Sequence, residues 1–138
     1  MIPPFHMAFP VRDIEETRRF YCDVLGCKQG RMTDHWIDID FFGHQLSAHL
    51  RENVGKESHT SEVDGISVPL RHFGAVLPWG EMDKLAERVK QAGVKFVIEP
   101  RLRYEGKVGE QKTMFFLDPS GNAMEFKAFK NPAELFAV

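Results

Sequence analysis

The sequence predicts an α+β fold made of two tandem β-α-β-β-β modules, and two observations indicate it. Strand-like alternation and helix-like spacing of apolar residues follow each other in the same order in both halves of the 138-residue chain. The halves also share their spacing, because His6 precedes Gly26 by 20 residues and His72 precedes Gly93 by 21. One module is too short to bury its own sheet face. We therefore expect the two to pair into one curved, partly closed mixed sheet with the helices outside.

The first module is expected over residues 3–51. Asp13, followed three residues later by Glu16, has the spacing of a capping box at the start of a helix. Gly26 is suited to the position just after the end of that helix. The predicted elements are a strand at 3–11, a helix between Asp13 and Gly26, and strands at 27–31, 35–42 and 45–51.

The second module is expected over residues 70–130, after a polar linker. Residues 52–69 are rich in Gly, Ser and Glu and show no periodicity, so we expect a linker or mobile loop there. The run MFFLDPSGNAMEFK at 114–127 has a turn cluster between two strands. The predicted elements are a strand at 70–77, a helix ending at Gly93, a strand at 94–98, a longer connection at 99–111, and a strand pair around the turn at 118–122.

Composition indicates one soluble globular domain spanning residues 1–138. Hydrophobic residues make up 43% and charged residues 28% of the chain, which is ordinary for such a domain. The net charge of −2 argues against binding nucleic acid through its phosphates. No apolar run approaches the ~20 residues of a membrane helix, and no signal peptide is recognised. Cys22 and Cys27 do not form a CxxC pair, so a reduced, cytoplasmic location is expected.

Four residues are candidate metal ligands, because each lies mid-strand on the more polar face of its strand: His6, His49, His72 and Glu125. A single strand His is commonly a hydrogen-bonded residue, and a strand Glu commonly belongs to a solvated face. Two His at matched positions together with a mid-strand Glu favour a divalent metal site instead. Two His and one carboxylate are the ligands of non-haem Fe(II) oxygenases, so Fe(II) is the expected ion, with Zn, Ni, Mn or Co as alternatives.

Other polar residues have weaker claims to a role. His44, beside a turn, is a candidate for orienting a ligand, whereas His35 and His59 are expected to be exposed. The connection at 99–111 either steers an anionic substrate or forms a solvated loop. Its candidate residues are Arg101, Arg103, Tyr104 and Lys107.

Over residues 4–130 the chain resembles the vicinal oxygen chelate superfamily, which includes glyoxalase I, type I extradiol dioxygenases and the fosfomycin- and bleomycin-resistance proteins. The resemblance rests on the opening run FHMAFPVRDIEETRRFYCDVLGC and the closing run FFLDPSGNAMEFKAF. The runs DFFGHQLSAHL and GEQKTMFFLDPSGNAMEFKAF are similar to a small bacterial group described as predicted extradiol-type dioxygenases. A homodimer acting on a small molecule with vicinal oxygens is expected.

The resemblance implies that His6, His72 and Glu125 form the metal triad of an extradiol-type dioxygenase. Its substrate would have two neighbouring oxygens, as a catechol does, and would bind the ion through them. His49 lies where glyoxalase I has a metal-binding Glu. It is a candidate to accept a proton from the substrate.

One departure from the extradiol pattern concerns a hydroxyl group. That pattern has a Tyr ten residues before the metal Glu, where this chain has Phe115. Tyr104 and His49 are the candidate residues to replace it in acid/base catalysis. Two alternative functions stay open: a glyoxalase-like lyase or isomerase, in which Glu125 moves a proton, and a metal-free resistance protein that sequesters an antibiotic. The triad argues against the second, because a sequestering pocket needs no metal ligands.

Overall fold

A computed structural model of the chain describes residues 2–54 and 59–138. The chain divides into two compact units. The first unit comprises Met1–Lys56 together with Asp118–Gly121, and the second unit comprises Glu57–Leu117 together with Asn122–Val138. Both contain a helix and a sheet, so the predicted α+β class is confirmed. Within the described residues, no helix is long and apolar enough to cross a membrane.

The first unit has the predicted β-α-β-β-β order. Its sheet has the strand order β1-β4-β3-β2, in which β1 runs parallel to β4 and the other neighbours are antiparallel. The elements are β1 (His6–Val11), α1 (Ile14–Arg18), a π-helical segment (Arg19–Val24), β2 (Lys28–Met32), β3 (Trp36–Phe41) and β4 (His44–Leu50).

The helix of the first unit begins where the capping signal predicts. The Asp13 carboxylate accepts a hydrogen bond from the backbone N–H of Glu16 at 2.6 Å. The chain leaves the helical segment at Gly26, whose φ of 80° suits glycine. Tyr21 is fully buried and donates its hydroxyl hydrogen to Asp118 at 2.9 Å. This bond attaches the turn Asp118–Gly121 to the helical segment of the same unit.

The expectation of an irregular linker over 52–69 is wrong for its second part. Residues 60–69 form a hairpin of β5 (Thr60–Val63) and β6 (Ile66–Pro69), while residues 55–58 lie outside the described residues. Asp64 and Gly65 make the turn with φ values of 49° and 80°. Two successive positive φ values are typical of a tight hairpin turn, for which Asp-Gly is a preferred pair. The Asp64-Gly65 dipeptide is the feature of the sequence that indicates this hairpin.

The second unit repeats the topology of the first. Its remaining elements are α2 (Trp79–Gln91), β7 (Phe96–Arg103), β8 (Gln111–Leu117) and β9 (Ala123–Phe129), with the strand order β7-β8-β9. The predicted strand at 70–77 is too long, because only Phe73 and Val76 form bridges, both parallel to β9. Gly74 between them weakens strand pairing. The strand predicted at 94–98 instead continues to Arg103, within the connection expected at 99–111.

Candidate metal centre

Glu125 lies on the face of β9 that also carries Ala123 and Lys127. Its neighbours Met124 and Phe126 are fully buried on the other face. The Glu125 side chain keeps 12% of its surface exposed. Its Oε1 accepts a hydrogen bond from the Thr113 hydroxyl at 2.8 Å, and the ammonium group of Lys127 lies 3.9 Å away. One carboxylate oxygen is therefore held by Thr113, while Oε2 is directed elsewhere.

His72 presents its two ring nitrogens to two hydrogen-bond acceptors. Its Nδ1 lies 3.0 Å from the backbone oxygen of Pro69, and its Nε2 lies 3.1 Å from Oε2 of Glu125. A neutral imidazole carries one N–H and can donate to only one of these oxygens. If Nδ1 donates to the carbonyl, Nε2 has a lone pair that faces an anionic oxygen. Such a contact is stable when a proton or a metal cation lies between them, so the pair fits a cation site.

A glycine permits this approach of His72 to Glu125. Phe73, next to His72, accepts a hydrogen bond through its backbone oxygen from the N–H of Glu125 at 2.9 Å. A Cβ at Gly74 would lie 1.6 Å from the backbone oxygen of Glu125. The segment that carries His72 thus lies against β9 because position 74 has no side chain.

Phe115 occupies the β8 position that pairs with Glu125. Its ring is 1% exposed and contacts the His72 ring edge-to-face, with centroids 5.0 Å apart. Val68 and Ile98 are buried in the same apolar cluster. The wall beside the His72–Glu125 pair is therefore apolar where the extradiol pattern has a hydroxyl, and Thr113 is the hydroxyl that contacts Glu125.

In the first unit, the side-chain amide of Gln45 orients His6, and the Asp38 carboxylate holds that amide. His6 Nδ1 lies 2.9 Å from Oε1 of Gln45, and Nε2 of Gln45 lies 3.4 Å from Oδ2 of Asp38. The hydroxyl of Ser47 donates to the other Asp38 oxygen at 2.6 Å, and Arg31 lies 3.7 Å from Asp38. Because Asp38 accepts from the amide nitrogen, the amide oxygen faces His6, and Nε2 of His6 keeps its lone pair.

The polar face of the first unit also borders an open cavity of about 390 Å³, lined in part by Asp38, Asp40 and Gln45. The sequence does not identify Gln45, Asp38 and, in the second unit, Thr113 as partners of the candidate ligands. Their signal was weak: each shares a strand face with other polar residues, and a solvated face has the same pattern.

The strand register shows which residue of the first repeat corresponds to Glu125. His49 pairs with Pro10 in the first unit. The position of the second unit that matches Pro10 is Val76, which pairs with Lys127, two residues after Glu125. Ser47, rather than His49, therefore corresponds to Glu125 in the repeat. His49 is partly buried on the same face of β4 as Ser47, two residues further along the strand.

Two of the other candidates, Tyr104 and His44, have identifiable partners. Tyr104 is 50% exposed just after β7, and its hydroxyl oxygen lies 3.2 Å from a guanidinium nitrogen of Arg103. His44 accepts a hydrogen bond at Nδ1 from the backbone N–H of Phe5 at 2.8 Å. Phe5 is the residue before His6, so this bond places the His44 ring beside the start of β1. Neither unit by itself gathers three His, Cys, Asp or Glu side chains among its described residues. The second unit supplies the His72–Glu125 pair.

Residues 4–126 match the family model of the Glyoxalase/Bleomycin resistance protein/Dioxygenase superfamily. Among curated proteins, the chain is 26% identical over 124 residues to the metallothiol transferase FosB of Lysinibacillus sphaericus, covering 88% of this chain and 78% of that protein. It is 23% identical to the virulence protein STM3117 of Salmonella typhimurium, covering 90% and 82%.

Solved structures share the fold. A glyoxalase/bleomycin resistance protein/dioxygenase from Alicyclobacillus acidocaldarius is 35% identical, with a TM-score of 0.78 and coverage of 97% of this chain and 96% of that one. The fosfomycin resistance protein FosX of Listeria monocytogenes is 18% identical, with a TM-score of 0.73 and coverage of 97% and 98%. At that identity, FosX is similar in fold alone.

Proposed function

Because the chain belongs to the glyoxalase/bleomycin resistance protein/dioxygenase superfamily, we propose that it is a divalent-metal-dependent enzyme acting on a small molecule with two neighbouring oxygens. The observation that carries the proposal is the His72–Glu125 pair, in which Nε2 faces a carboxylate oxygen at 3.1 Å while Nδ1 faces a carbonyl. His6, His72 and Glu125 are the proposed ligands. A His₂-carboxylate set suits Fe(II) first, and also Mn, Zn, Ni or Co.

The chain's own residues prepare these ligands for a cation. The Pro69 carbonyl holds His72 and the Gln45 amide holds His6, each through Nδ1, so both rings offer Nε2 as the donor atom. Thr113 holds one oxygen of Glu125 and leaves the other to bind. When bound, the ion would supply Lewis-acid chemistry, polarising the substrate oxygens and lowering the pKa of a bound hydroxyl group.

Phe115 bears on which reaction takes place. Extradiol ring cleavage, the activity that the sequence resemblance favours, uses a positioned hydroxyl where this chain has a buried phenyl ring. Loss of one positioned acid/base group typically lowers a rate by 10²–10⁴-fold. Redox-neutral Lewis-acid chemistry, including the glyoxalase-like alternative, does not require that hydroxyl. It is therefore the preferred reaction class, with His49 and Tyr104 as candidate acid/base residues.

A second candidate is group transfer to the substrate. It is favoured by the similarity to a protein named as a metallothiol transferase, at 26% identity over 88% of this chain. Metal-free sequestration of an antibiotic is the least supported alternative, because it gives no role to the His72–Glu125 pair.

The decisive experiment measures metal content by mass spectrometry after anaerobic purification. The unmodified protein is expected to retain a divalent ion, and Glu125→Gln is expected to lose most of it. Glu81→Gln is the matched control, because Glu81 is an exposed carboxylate on α2 paired with Lys84. Equal retention in the two variants would refute the proposed ligand set. Oxygen uptake with catechol, hemithioacetal isomerisation and thiol consumption would then distinguish the reaction classes.

A further inference from the structure

We propose that Arg101 and Arg103 form a binding site for one anionic group of a ligand, and that Asp64 occupies this site in the free protein. Oδ2 of Asp64, at the turn of the β5–β6 hairpin, lies 3.7 Å from Nε of Arg101 and 3.3 Å from Nε of Arg103. One carboxylate oxygen thus faces two guanidinium groups. Its distance to Arg101 is longer than a hydrogen bond.

Arg101 is incompletely satisfied by this carboxylate. Its Nε and Nη2 are buried and have no hydrogen-bond partner in the part of the chain that the structure describes. Buried guanidinium nitrogens without acceptors are unfavourable, because water has been removed and nothing replaces it. Arg103 is better supported, since its guanidinium group lies 5.0 Å from the centroid of the Tyr104 ring and contacts the Tyr104 hydroxyl. A ligand anion with several oxygens would satisfy both arginines better than one shared oxygen does.

The location fits a ligand that also reaches the candidate metal centre. Arg101 pairs with Thr113 across β7 and β8, so its side chain lies on the sheet face that carries Glu125. The backbones of β7 and β9, separated by β8, are about 10 Å apart. This part of the inference rests on the proposed function: the substrate would have vicinal oxygens at one end and a carboxylate or phosphoryl group at the other.

Asp64 belongs to the β5–β6 hairpin and not to the sheet that carries the two arginines. Val68 of that hairpin packs with Ile98 and Phe115, so the apolar contacts hold the hairpin without help from Asp64. The Asp64 side chain is 39% exposed. An incoming anion can therefore displace the carboxylate into solvent while the hairpin stays in place.

The test measures binding of inorganic phosphate and of malonate to metal-free protein by calorimetry, at constant ionic strength maintained with chloride. Asp64→Asn is the informative variant, because Asn also tolerates the positive φ of this turn position. Asp83→Asn is the matched control: it removes one carboxylate of the same unit, which is paired with Lys112 at 2.8 Å.

Asp64→Asn should lower the phosphate Kd about fivefold or more, since the competing carboxylate is gone. Arg101→Gln and Arg103→Gln should each raise it about tenfold, and Asp83→Asn should leave it within about twofold. The arm with the lower Kd identifies the ligand group as phosphoryl or carboxylate. Equal phosphate affinity in Asp64→Asn and the unmodified protein would overturn the proposal, as would phosphate binding that survives both arginine changes. If Asp64→Asn lowers thermal stability and leaves the phosphate Kd unchanged, Asp64 has only a structural role in holding the hairpin.

Two controls separate this result from the metal proposal. The protein is stripped of metal beforehand, so phosphate cannot bind through an ion. Glu125→Gln should leave the phosphate Kd unchanged, because its carboxylate lies on β9 and not beside the arginines. If the unmodified protein retains no divalent ion in the metal-content measurement but still binds phosphate, the proposed function is refuted and the anion site is supported.

Discussion

Thr113 holds one oxygen of the candidate metal ligand Glu125, through a hydroxyl that is almost completely buried. Thr113→Val keeps the shape of the side chain and removes the hydroxyl. We expect about a tenfold or greater rise in the Kd for Zn²⁺ or Mn²⁺, as is typical for loss of a group that orients a metal ligand. Thr60→Val, at an exposed position on β5, is the control and should leave metal affinity unchanged. If both variants bind the ion equally, Thr113 does not position Glu125.

Phe115 provides a second residue-level prediction. Phe115→Tyr should leave metal affinity unchanged, because the ring contacts His72 and is not itself a ligand. The new hydroxyl would be buried among apolar side chains, so the variant should lose about 1–3 kcal/mol of unfolding free energy.

The buried phenyl ring at position 115 also bears on activity, and the unmodified protein loaded with Fe(II) should turn over catechol slowly or not at all. Rapid cleavage of catechol would show that Phe115 does not limit this reaction.

Residue identity indicated the candidate ligands more clearly than their hydrogen-bond partners. His72 and Glu125 were recognised because a His at matched repeat positions and a carboxylate in an apolar strand are both unusual. Gln45 and Asp38 were missed because polar residues on an alternating strand are ordinary, and only the register shows that they face His6. That Ser47 rather than His49 corresponds to Glu125 in the repeat was not visible for the same reason, since a face is readable from alternation but a register is not.

Among the elements, the segment that carries His72 depends on its contact with β9. Gly74→Ala would place a methyl group against the backbone oxygen of Glu125. We expect a loss of roughly 3 kcal/mol or more of unfolding free energy, because backbone cannot move aside as a side chain can. Urea denaturation measures this change. Gly80→Ala in α2 has open space around the added methyl group and should stabilise the protein by up to about 1 kcal/mol. A Gly74→Ala variant as stable as Gly80→Ala would contradict the close approach.

Most elements were predictable from periodicity, and the exceptions have physical reasons. The β5–β6 hairpin was missed because its strands have only four residues each and little alternation, although its Asp64-Gly65 turn was visible. β7 was predicted too short because Glu99 and Pro100 resemble a strand end, yet pairing with β8 continues to Arg103 past an irregularity in the register.

At the level of the whole molecule, the Tyr21–Asp118 hydrogen bond joins residues 97 positions apart within the first unit. Tyr21→Phe should cost about 1–3 kcal/mol of unfolding free energy, because it removes a hydrogen bond to a buried carboxylate. Denaturation of the two proteins at neutral pH measures the difference. A loss below about 0.5 kcal/mol would indicate that another donor replaces the hydroxyl.

The same bond predicts a pH dependence. Burial, together with the adjacent Asp118 carboxylate, raises the pKa of Tyr21 well above its ordinary value of 10.0. In the unfolded chain Tyr21 loses its proton above about pH 10, whereas the folded protein keeps it, so stability falls as pH rises through this range. Phenylalanine does not titrate. The stability difference between the unmodified protein and Tyr21→Phe should therefore shrink between pH 9 and pH 11 in urea denaturation series, and a constant difference would contradict it.

The order of modules along the chain was the most predictable property, because both halves repeat the same periodicities at the same spacing. How the repeats combine into one domain, 3–51 with 70–130, stays a prediction, as do the cytoplasmic location and the homodimer. Pairing of the repeats and of two chains depends on surfaces between compact parts, and alternation within a strand does not encode them.

The missing side chain at position 74 has a consequence for how function would be mapped in this protein. In a saturation mutagenesis screen scored by metal binding, replacements of Gly74 are expected to fail because the added Cβ meets the backbone of Glu125, and replacements of the proposed ligand Glu125 are expected to fail as well. Yet glycine has no group that binds or reacts. Sensitivity to mutation would thus score the two positions alike, and only a separate measurement of folding would distinguish the proposed metal ligand from the glycine that the fold requires.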